Sequence, residues 1–248
     1  MAEIYNSPRE HPRLVPAVAH VWRAGIAPDS SALSEMVSVL AADERSRAER
    51  FHFDHHRERY IAARATLRRL LGAYAHVAPE EIVFRYGERG KPAVEAPAAA
   101  AEIDFNVSHR GDFALYVFCR GRELGIDIEF VRDVPQALAI GRKHFTPEES
   151  RLLVAADAEG KILSSFFRLW TRKEAVIKAV GTGLAMPLTE FDVSSAAADG
   201  AAWHSVQIPA RPNTVWSVRD LFPLDGYRGA LCLSGTPLEI EFWTGGDH

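Results

Sequence analysis

Two acidic residues, Asp127 and Glu129, are separated by a single residue in an otherwise apolar segment, residues 124–129. Alternate side chains of a β-strand point to opposite faces, so the apolar residues would enter a core and both acids would project from the other face. Carboxylate oxygens are suitable ligands for Mg²⁺, which also takes substrate phosphates and water. The pair therefore predicts a site for Mg²⁺ and a phosphorylated compound. A solvated polar strand face is the alternative that these two residues leave open.

A second candidate pair, Glu174 and Lys178, lies four residues apart in a helix predicted from Ser165 to Val180. Residues at this spacing share one face of a helix. Another face carries an apolar stripe, which indicates that the helix packs on a core: Phe166, Trp170, Ile177 and Val180. Glu174 would add a third carboxylate to the metal, and Lys178 would place a cation on a phosphate. An exposed ion pair between the two side chains is the alternative, and spacing alone does not decide between them.

The elements that must position these residues alternate between helices and β-hairpins in both halves of the chain. The first half contains a strand-like segment at 18–22, a helical segment from about Ser31, and an amphipathic helix at 59–72 whose outer face is rich in arginine. Segments 105–109 and 113–119 form a predicted hairpin around Arg110-Gly111-Asp112. The Ala/Pro-rich residues 95–101 lack periodicity and predict an exposed loop.

In the second half, Thr146 followed three residues later by Glu149 predicts the start of a helix. Gly181-Thr182-Gly183 ends the longer helix, and strand-like segments recur near 216–218, 230–233 and 238–242. This succession predicts an α+β fold with two similar-sized lobes, divided near residues 120 to 124. We therefore expect an N-terminal lobe at 1–123 and a C-terminal lobe at 124–248.

The composition is that of an ordinary globular protein, with 248 residues, 47% hydrophobic and 25% charged. The net charge of −4 argues against an overall positive electrostatic field that would attract nucleic acid or an anionic membrane. No apolar run reaches the length of roughly 20 residues that a spanning helix needs. Cys119 and Cys232 lie in apolar strand-like segments and are expected in the core. Together these features predict a reduced, soluble, cytoplasmic protein.

The residues that carry the chemistry also resemble a known family. Gly125-Ile126-Asp127-Ile128-Glu129, followed by the segment 167–179 with sequence FRLWTRKEAVIKA, resembles the paired signature of the 4′-phosphopantetheinyl transferase superfamily. Gly90-Lys91-Pro92 and Phe105-Asn106-Val107-Ser108-His109 upstream, and Gly181-Thr182-Gly183-Leu184 downstream, follow in the order and spacing of its larger, monomeric, surfactin-synthetase-activating type. The resemblance extends from about residue 44 to residue 193.

This resemblance implies two similar-sized α/β lobes related by pseudo-twofold symmetry, with the active site in the cleft between them. It implies an enzyme that transfers the 4′-phosphopantetheine group of coenzyme A to a serine of an apo carrier protein. The carrier could serve fatty-acid, polyketide or peptide synthesis. The implied reaction depends on Mg²⁺ and releases adenosine 3′,5′-bisphosphate, and the implied enzyme is a monomer.

The resemblance also assigns roles to single residues. Asp127, Glu129 and Glu174 would hold Mg²⁺, and Lys178 would contact the pyrophosphate of coenzyme A. Glu174 is in addition the candidate general base for the serine hydroxyl, with a role as metal ligand alone as the alternative.

On the nucleotide side, Ser108 and His109 would contact phosphates, with His109 on the 3′-phosphate. Arg59 would also bind the 3′-phosphate, and Arg47 occupies a nearby basic position. The residues that would line the adenine side are Gly90, Lys91 and Pro92. Without the resemblance, the favoured interpretation of His109 is a histidine that is hydrogen-bonded at a strand end.

Several features lie outside this assignment. Some relatives carry a lysine early in the basic tract where this chain has Glu44 and Arg45, so the contribution of that tract to phosphate binding stays open. Arg64 and Arg68 are expected to pair with solvent or nearby acids. A zinc site at His52, Asp54, His55 and His56 is disfavoured because distant ligands are lacking. A docking surface for the carrier is suggested at Arg142, Lys143 and Phe145.

Two other functions remain compatible with the residues alone. The first is a different magnesium enzyme that acts on a pyrophosphate or nucleotide with the same three carboxylates. The second is a catalytically silent carrier-binding module, which the intact set of Asp127, Glu129, Glu174 and Lys178 argues against.

Overall fold

A computed structural model describes residues 3–87, 89–194 and 202–245. The chain divides into two compact units. The N-terminal unit comprises Ile4–Gly121 and the last strand of the chain, from Glu239 onward. The C-terminal unit comprises Arg122–Leu238 together with Glu3. Helices and sheets occur in both units, so the predicted α+β class is confirmed.

The elements of the N-terminal unit follow in chain order: β1 Val18–Gly25, α1 Ser30–Ser38, α2 Ala42–Ala48, α3 Asp54–Ala75, β2 Val83–Tyr86, β3 Pro92–Ala96, α4 Ala98–Ala101, β4 Ile103–Arg110 and β5 Phe113–Arg120. The elements of the C-terminal unit are β6 Leu124–Phe130, α5 Ala137–His144, α6 Pro147–Ala158, α7 Ile162–Val180, β7 His204–Val206, β8 Trp216–Leu221 and β9 Tyr227–Ser234. The last strand, β10 Glu239–Gly245, belongs to the N-terminal unit.

The N-terminal unit is built on a four-stranded sheet of order β10-β1-β5-β4. β1 pairs with β5 in antiparallel and with β10 in parallel orientation, while β2 and β3 form a separate hairpin. Residues of α3 and of the sheet share one apolar core. Polar contacts also join them, since Tyr116 Oη donates to the carbonyl of Ala63 at 3.1 Å and Trp22 Nε1 donates to Tyr74 Oη at 2.7 Å. The long arginine-rich helix is thereby fixed on the sheet.

The segment 95–101, predicted as an exposed loop, is instead the end of β3 followed by the short helix α4. The prediction was wrong because small alanines give no polar contrast from which a period can be detected, although alanine is the best helix former. Ala100 is 0% exposed and belongs to the core.

The C-terminal unit packs α7 on an antiparallel sheet of order β6-β9-β8-β7. Cys232 in β9 is fully buried, and Cys119 in the other unit is buried as well, so both cysteines are core residues as predicted. The predicted cap of α6 is present, with Thr146 Oγ1 accepting from the Glu149 amide at 3.3 Å and Glu149 Oε2 accepting from the Thr146 amide at 2.9 Å.

A buried ion pair links α6 to α7. Lys173 Nζ lies 2.8 Å from Glu149 Oε2, and both side chains are almost fully buried. Lys173 also donates to the carbonyls of Leu188 and Phe191 at 2.6 and 2.7 Å, and Glu149 Oε1 accepts from the Val193 amide at 2.7 Å. These bonds satisfy both charges and hold the segment that follows α7 against the helix.

None of the helices within the described residues is both long enough and apolar enough to span a membrane.

A histidine in the C-terminal unit makes its stability dependent on pH. Burial, followed by the charges of Arg172 and Arg168, lowers the pKa of His204 to about 4, although Asp220 opposes the shift. The neutral imidazole is therefore favoured in the folded state. His204 has a higher pKa in the unfolded chain than in the folded protein. The free energy of unfolding is therefore highest above pH ~6.5 and decreases as the pH falls toward 4.

We expect His204→Gln to remove about 2 kcal/mol of the decrease in unfolding free energy between pH 6.5 and pH 4. Urea titrations of both proteins at a series of pH values measure this difference. If the free energy of unfolding decreased equally with falling pH in wild type and variant, His204 would not be the cause of the pH dependence.

Candidate active site

The strand β6 and the helix α7 carry the predicted metal ligands, and a glycine lets their backbones come very close. A Cβ atom built on Gly125 would lie 2.3 Å from the carbonyl oxygen of Ala175 and 2.3 Å from the amide nitrogen of Ala179. These distances are much shorter than a van der Waals contact, so only a residue without a Cβ atom, glycine, permits this approach. The first residue of the Gly-Ile-Asp-Ile-Glu motif therefore has a packing role that positions the acids after it.

Asp127 and Lys178 meet directly across this strand–helix contact. The Asp127 side chain is 9% exposed, and its Oδ1 lies 2.7 Å from Lys178 Nζ. Lys178 also donates to the carbonyl of Ile126 at 3.1 Å. The structure thus brings together two of the residues that the sequence predicted for the site.

Glu129 lies two residues further along β6 and is paired with a cation that sequence reasoning did not assign. Arg132 Nη1 lies 2.9 Å from Glu129 Oε2, and the Arg132 guanidinium is 5.1 Å from the centroid of the Phe167 ring. The spacing of three residues between Glu129 and Arg132 was the available signal. It was weak because it lies where the strand ends rather than on a helix face.

Glu174 lies on the same helix as Lys178 and is influenced by both acids of β6. Burial raises the pKa of Glu174, and the negative charges of Asp127 and Glu129 raise it further, whereas Lys178 lowers it. Like charges act in this way only over short distances. Glu174 is therefore close enough to both acids of β6 for their charges to affect its pKa.

Carboxylate oxygens are the donor set that Mg²⁺ prefers, and a bound cation would reduce the part of the raised Glu174 pKa that comes from Asp127 and Glu129. Within residues 3–87, 89–194 and 202–245, however, no group of three or more His, Cys, Asp or Glu side chains is arranged as a metal site. Lys178 and Arg132 contact the oxygens of Asp127 and Glu129. The residues thus fit Mg²⁺ by the type of their donor atoms, and binding would require these side chains to rearrange.

In the N-terminal unit, three of the predicted phosphate-binding residues lie around one turn. Ser108 and His109 are near the end of β4, with Ser108 buried and His109 exposed. The turn that follows contains Asp112, and Arg59 Nη2 from the first part of α3 lies 2.6 Å from Asp112 Oδ1. The contact places Arg59 beside the turn that joins β4 to β5.

Gly90, Lys91 and Pro92 lie at the tip of the hairpin between β2 and β3. Gly90 has a positive φ of 78°, which glycine adopts readily. The amide of Gly87 donates to the carbonyl of Lys91 at 3.1 Å, and that of Gly90 donates to the carbonyl of Gly87 at 2.8 Å. These bonds close the turn and fix the backbone of the predicted adenine-side residues.

Arg47 is exposed on α2, with its guanidinium 5.4 Å from the centroid of the Tyr60 ring. It lines a shallow depression of about 240 Å³ with Arg50 and Phe51. Two cations and an aromatic ring on an open surface can hold an anionic ligand.

Two expectations about neighbouring residues have clear outcomes. Phe145 was a candidate for the carrier-docking surface, but it is only 3% exposed and packs against Phe166 with ring centroids 5.8 Å apart. That prediction was wrong because the phenylalanine follows α5 into the core, while Arg142 and Lys143 are exposed. Arg64 and Arg68 pair with a nearby acid as expected, and the acid is Glu44.

Two family models match successive parts of the chain. The model described as the 4′-phosphopantetheinyl transferase superfamily matches residues 123–232. The model described as the N-terminal part of 4′-phosphopantetheinyl transferase matches residues 24–119. The first match contains the β6 and α7 residues, and the second contains the predicted nucleotide-side residues.

Curated relatives carry the same name. The chain is 35% identical to the 4′-phosphopantetheinyl transferase HetI of Nostoc sp. over 90% of this chain and 91% of the relative. It is 29% identical to the transferase gsp of Aneurinibacillus migulanus over 74% and 78%. It is 30% identical to the transferase Sfp of Bacillus subtilis over 63% and 67%. The chain therefore belongs to the 4′-phosphopantetheinyl transferase superfamily of enzymes, in its larger, Sfp-like type.

Proposed function

We propose that this chain transfers the 4′-phosphopantetheine group of coenzyme A to a serine of an apo acyl, polyketide or peptidyl carrier protein. The reaction depends on Mg²⁺ and releases adenosine 3′,5′-bisphosphate. Membership of the superfamily supports the reaction class. The observation that carries the proposal at the level of residues is the cluster that forms where β6 meets α7: Asp127, Glu129, Glu174 and Lys178.

Asp127, Glu129 and Glu174 are the residues proposed to hold Mg²⁺. Support comes from their oxygen donors and from the raised pKa of Glu174, which burial and, after it, the negative charges of Asp127 and Glu129 cause. When bound, Mg²⁺ neutralises the pyrophosphate and stabilises the charge that develops on the departing phosphate oxygen.

Lys178 is proposed to contact the pyrophosphate of coenzyme A. Its ammonium group lies on the same side of the β6–α7 contact as Asp127. A charge-assisted hydrogen bond from Lys178 to a phosphate oxygen strengthens as negative charge accumulates there. Phosphoryl transfer gives the protein little covalent work, so positioning and charge neutralisation are the main contributions of these residues.

Glu174 is also proposed to accept the proton of the attacking serine hydroxyl. A carboxylate with a raised pKa is a stronger base than an ordinary glutamate. General base catalysis is most efficient when the pKa of the base lies near the operating pH. A carboxylate oxygen of Glu174 would take the proton directly or through a water molecule.

The nucleotide of coenzyme A is proposed to bind the N-terminal unit. Ser108, His109 and Arg59 lie around the β4–β5 turn and are proposed to hold the nucleotide phosphates, His109 and Arg59 the 3′-phosphate. Arg47 adds a cation from α2. The adenine side is assigned to the closed turn between β2 and β3, which contains Gly90, Lys91 and Pro92.

The proposal includes features that rest on the resemblance in the sequence. These are a pseudo-twofold relation between an N-terminal lobe and a C-terminal lobe that divide near residues 120 to 124, and a site in the cleft between them. We also infer a cytoplasmic monomer whose partners are coenzyme A and carrier proteins rather than nucleic acid or membranes.

Nucleotide release tests the proposal against a magnesium enzyme that cleaves pyrophosphates without a protein substrate. The purified chain is incubated with coenzyme A and Mg²⁺, with or without a panel of apo carriers, and adenosine 3′,5′-bisphosphate is quantified. We expect release only when both a carrier and Mg²⁺ are present, and none after addition of a chelator. Equal release without any carrier, or no release with every carrier, would overturn the proposal.

A further inference from the structure

A buried acid in the N-terminal unit joins several segments that carry the proposed nucleotide contacts. Glu44 lies in the first turn of α2 and is 1% exposed. Its Oε2 accepts hydrogen bonds from the Ala41 amide at 2.9 Å and from Arg68 Nε at 2.6 Å, while its Oε1 accepts from Arg64 Nε. Both carboxylate oxygens are therefore used in ties between α2 and α3.

Arg64 continues this network toward the β2–β3 turn. Its guanidinium lies 3.9 Å from the centroid of the Phe84 ring, and its Nη2 donates to Tyr86 Oη at 2.6 Å. Phe84 and Tyr86 belong to β2, and Tyr86 is its last residue before the turn. Arg64, which is bound by Glu44, thus contacts the strand that leads into the turn of the proposed adenine-side residues.

Arg68 fixes the opposite end of the same strand. It is 1% exposed, and its Nη1 donates to the carbonyls of Pro79 and Ile82 at 2.9 and 2.8 Å. Ile82 directly precedes β2. Arg64 and Arg68 together hold β2 at both ends, and Glu44 holds both arginines.

We propose that Glu44 is a positioning residue for the nucleotide half of the coenzyme A site, an inference that rests on the proposed function. It acts on Arg47, three residues later in the same short helix, and on the β2–β3 turn through Arg64 and Arg68. Buried charges are costly unless fully paired, so a network of this kind is retained more readily for the geometry it fixes than for stability. Fixing the ligand-binding groups before binding lowers the ordering cost of binding.

The charges around position 44 also explain why an acid rather than a cation is suited to it. At position 44 the side chain is enclosed by two guanidinium groups. A cation there would add a third positive charge to a buried site, which is strongly unfavourable. In this chain the residue therefore organises the arginines and does not itself contact phosphate.

The test compares Glu44→Gln with Glu35→Gln, a matched control. Glu35 pairs with Arg69 of α3 at 2.7 Å, but its side chain is 73% exposed and no proposed site residue depends on it. The dissociation constant for adenosine 3′,5′-bisphosphate is measured by calorimetry, and kcat and the KM values for coenzyme A and for the carrier are measured separately.

For Glu44→Gln we expect the dissociation constant and the KM for coenzyme A to rise about tenfold. The kcat at saturating coenzyme A and the KM for the carrier should stay within about twofold of wild type, and Glu35→Gln should match wild type throughout. A purely structural role would lower the amount of active enzyme, and so kcat, without this selective effect on nucleotide binding.

Tyr86→Phe tests the same network without altering the buried charges, because Tyr86 is 45% exposed and loses only the hydroxyl that accepts from Arg64. We expect a smaller change in the same direction, about threefold in the dissociation constant. If wild type transfers normally and both variants bind the bisphosphate with wild-type affinity, this inference is overturned and the proposed function stands. If wild type binds no bisphosphate and modifies no carrier, both are overturned.

Discussion

Replacing Glu174 by glutamine is expected to lower the rate of phosphopantetheine transfer by about 10²- to 10³-fold without reducing stability. Burial and the charges of Asp127 and Glu129 raise the pKa of Glu174, so its ionised form is unfavourable in the folded protein. At neutral pH a neutral amide removes this repulsion, which should leave the free energy of unfolding unchanged or raise it by about 1 kcal/mol. Loss of function with preserved stability is typical of a strained catalytic group.

Steady-state transfer assays and urea unfolding of the same preparations measure the two quantities. Glu148→Gln is the control, because Glu148 is an exposed acid of α6 whose partner is Arg151. A Glu174→Gln variant that transfers at the wild-type rate with normal metal affinity would exclude Glu174 as the base. A variant that is much less stable than wild type would show that the glutamate charge is well accommodated, contrary to our account.

Replacing Gly125 by alanine is expected to destabilise the protein by about 3 kcal/mol and to reduce transfer as well. The added methyl group would meet the backbone of α7 at Ala175 and Ala179, 2.3 Å from one atom of each. Backbone atoms cannot rotate aside as a side chain can, so α7 must move away from β6. Because Glu174 and Lys178 move with the helix, the spacing of the carboxylates changes too.

Gly25→Ala provides a matched control, since a Cβ at Gly25 meets nothing within 4 Å. Urea unfolding should show a large loss of stability for Gly125→Ala and little change for Gly25→Ala. Equal stability of the two variants would mean that the close contact between β6 and α7 is not a constraint.

The parts of the molecule that could be predicted best from the sequence are those in which neighbouring residues form a regular pattern over a whole strand or helix. The alternation at 124–129 and the helical stripe of α7 were sufficient to place Asp127 and Glu129 on a strand and Glu174 and Lys178 on a helix. The cap at Thr146 could also be predicted, because Thr146 and its partner Glu149 lie within one helical turn.

Features that depend on contacts between residues far apart in the sequence could not be predicted. The strand near 238–242 was predicted, but its parallel pairing with β1 joins residues more than two hundred positions apart and leaves no local signature. The role of Glu44 was also hidden, since its partners Arg64 and Arg68 are defined only when α2 packs on α3. Arg132 was missed because its contact with Glu129 depends on how the chain turns after β6.

The most direct test of the account is the intact mass of an apo carrier protein after incubation with this chain, coenzyme A and Mg²⁺. Our account predicts that the carrier gains the mass of one phosphopantetheinyl group, and that a carrier whose acceptor serine is replaced by alanine gains nothing. It predicts no gain with the Glu174→Gln variant over the time in which wild type completes the reaction. An unchanged mass for every carrier tested, with folded enzyme and intact coenzyme A, would contradict it.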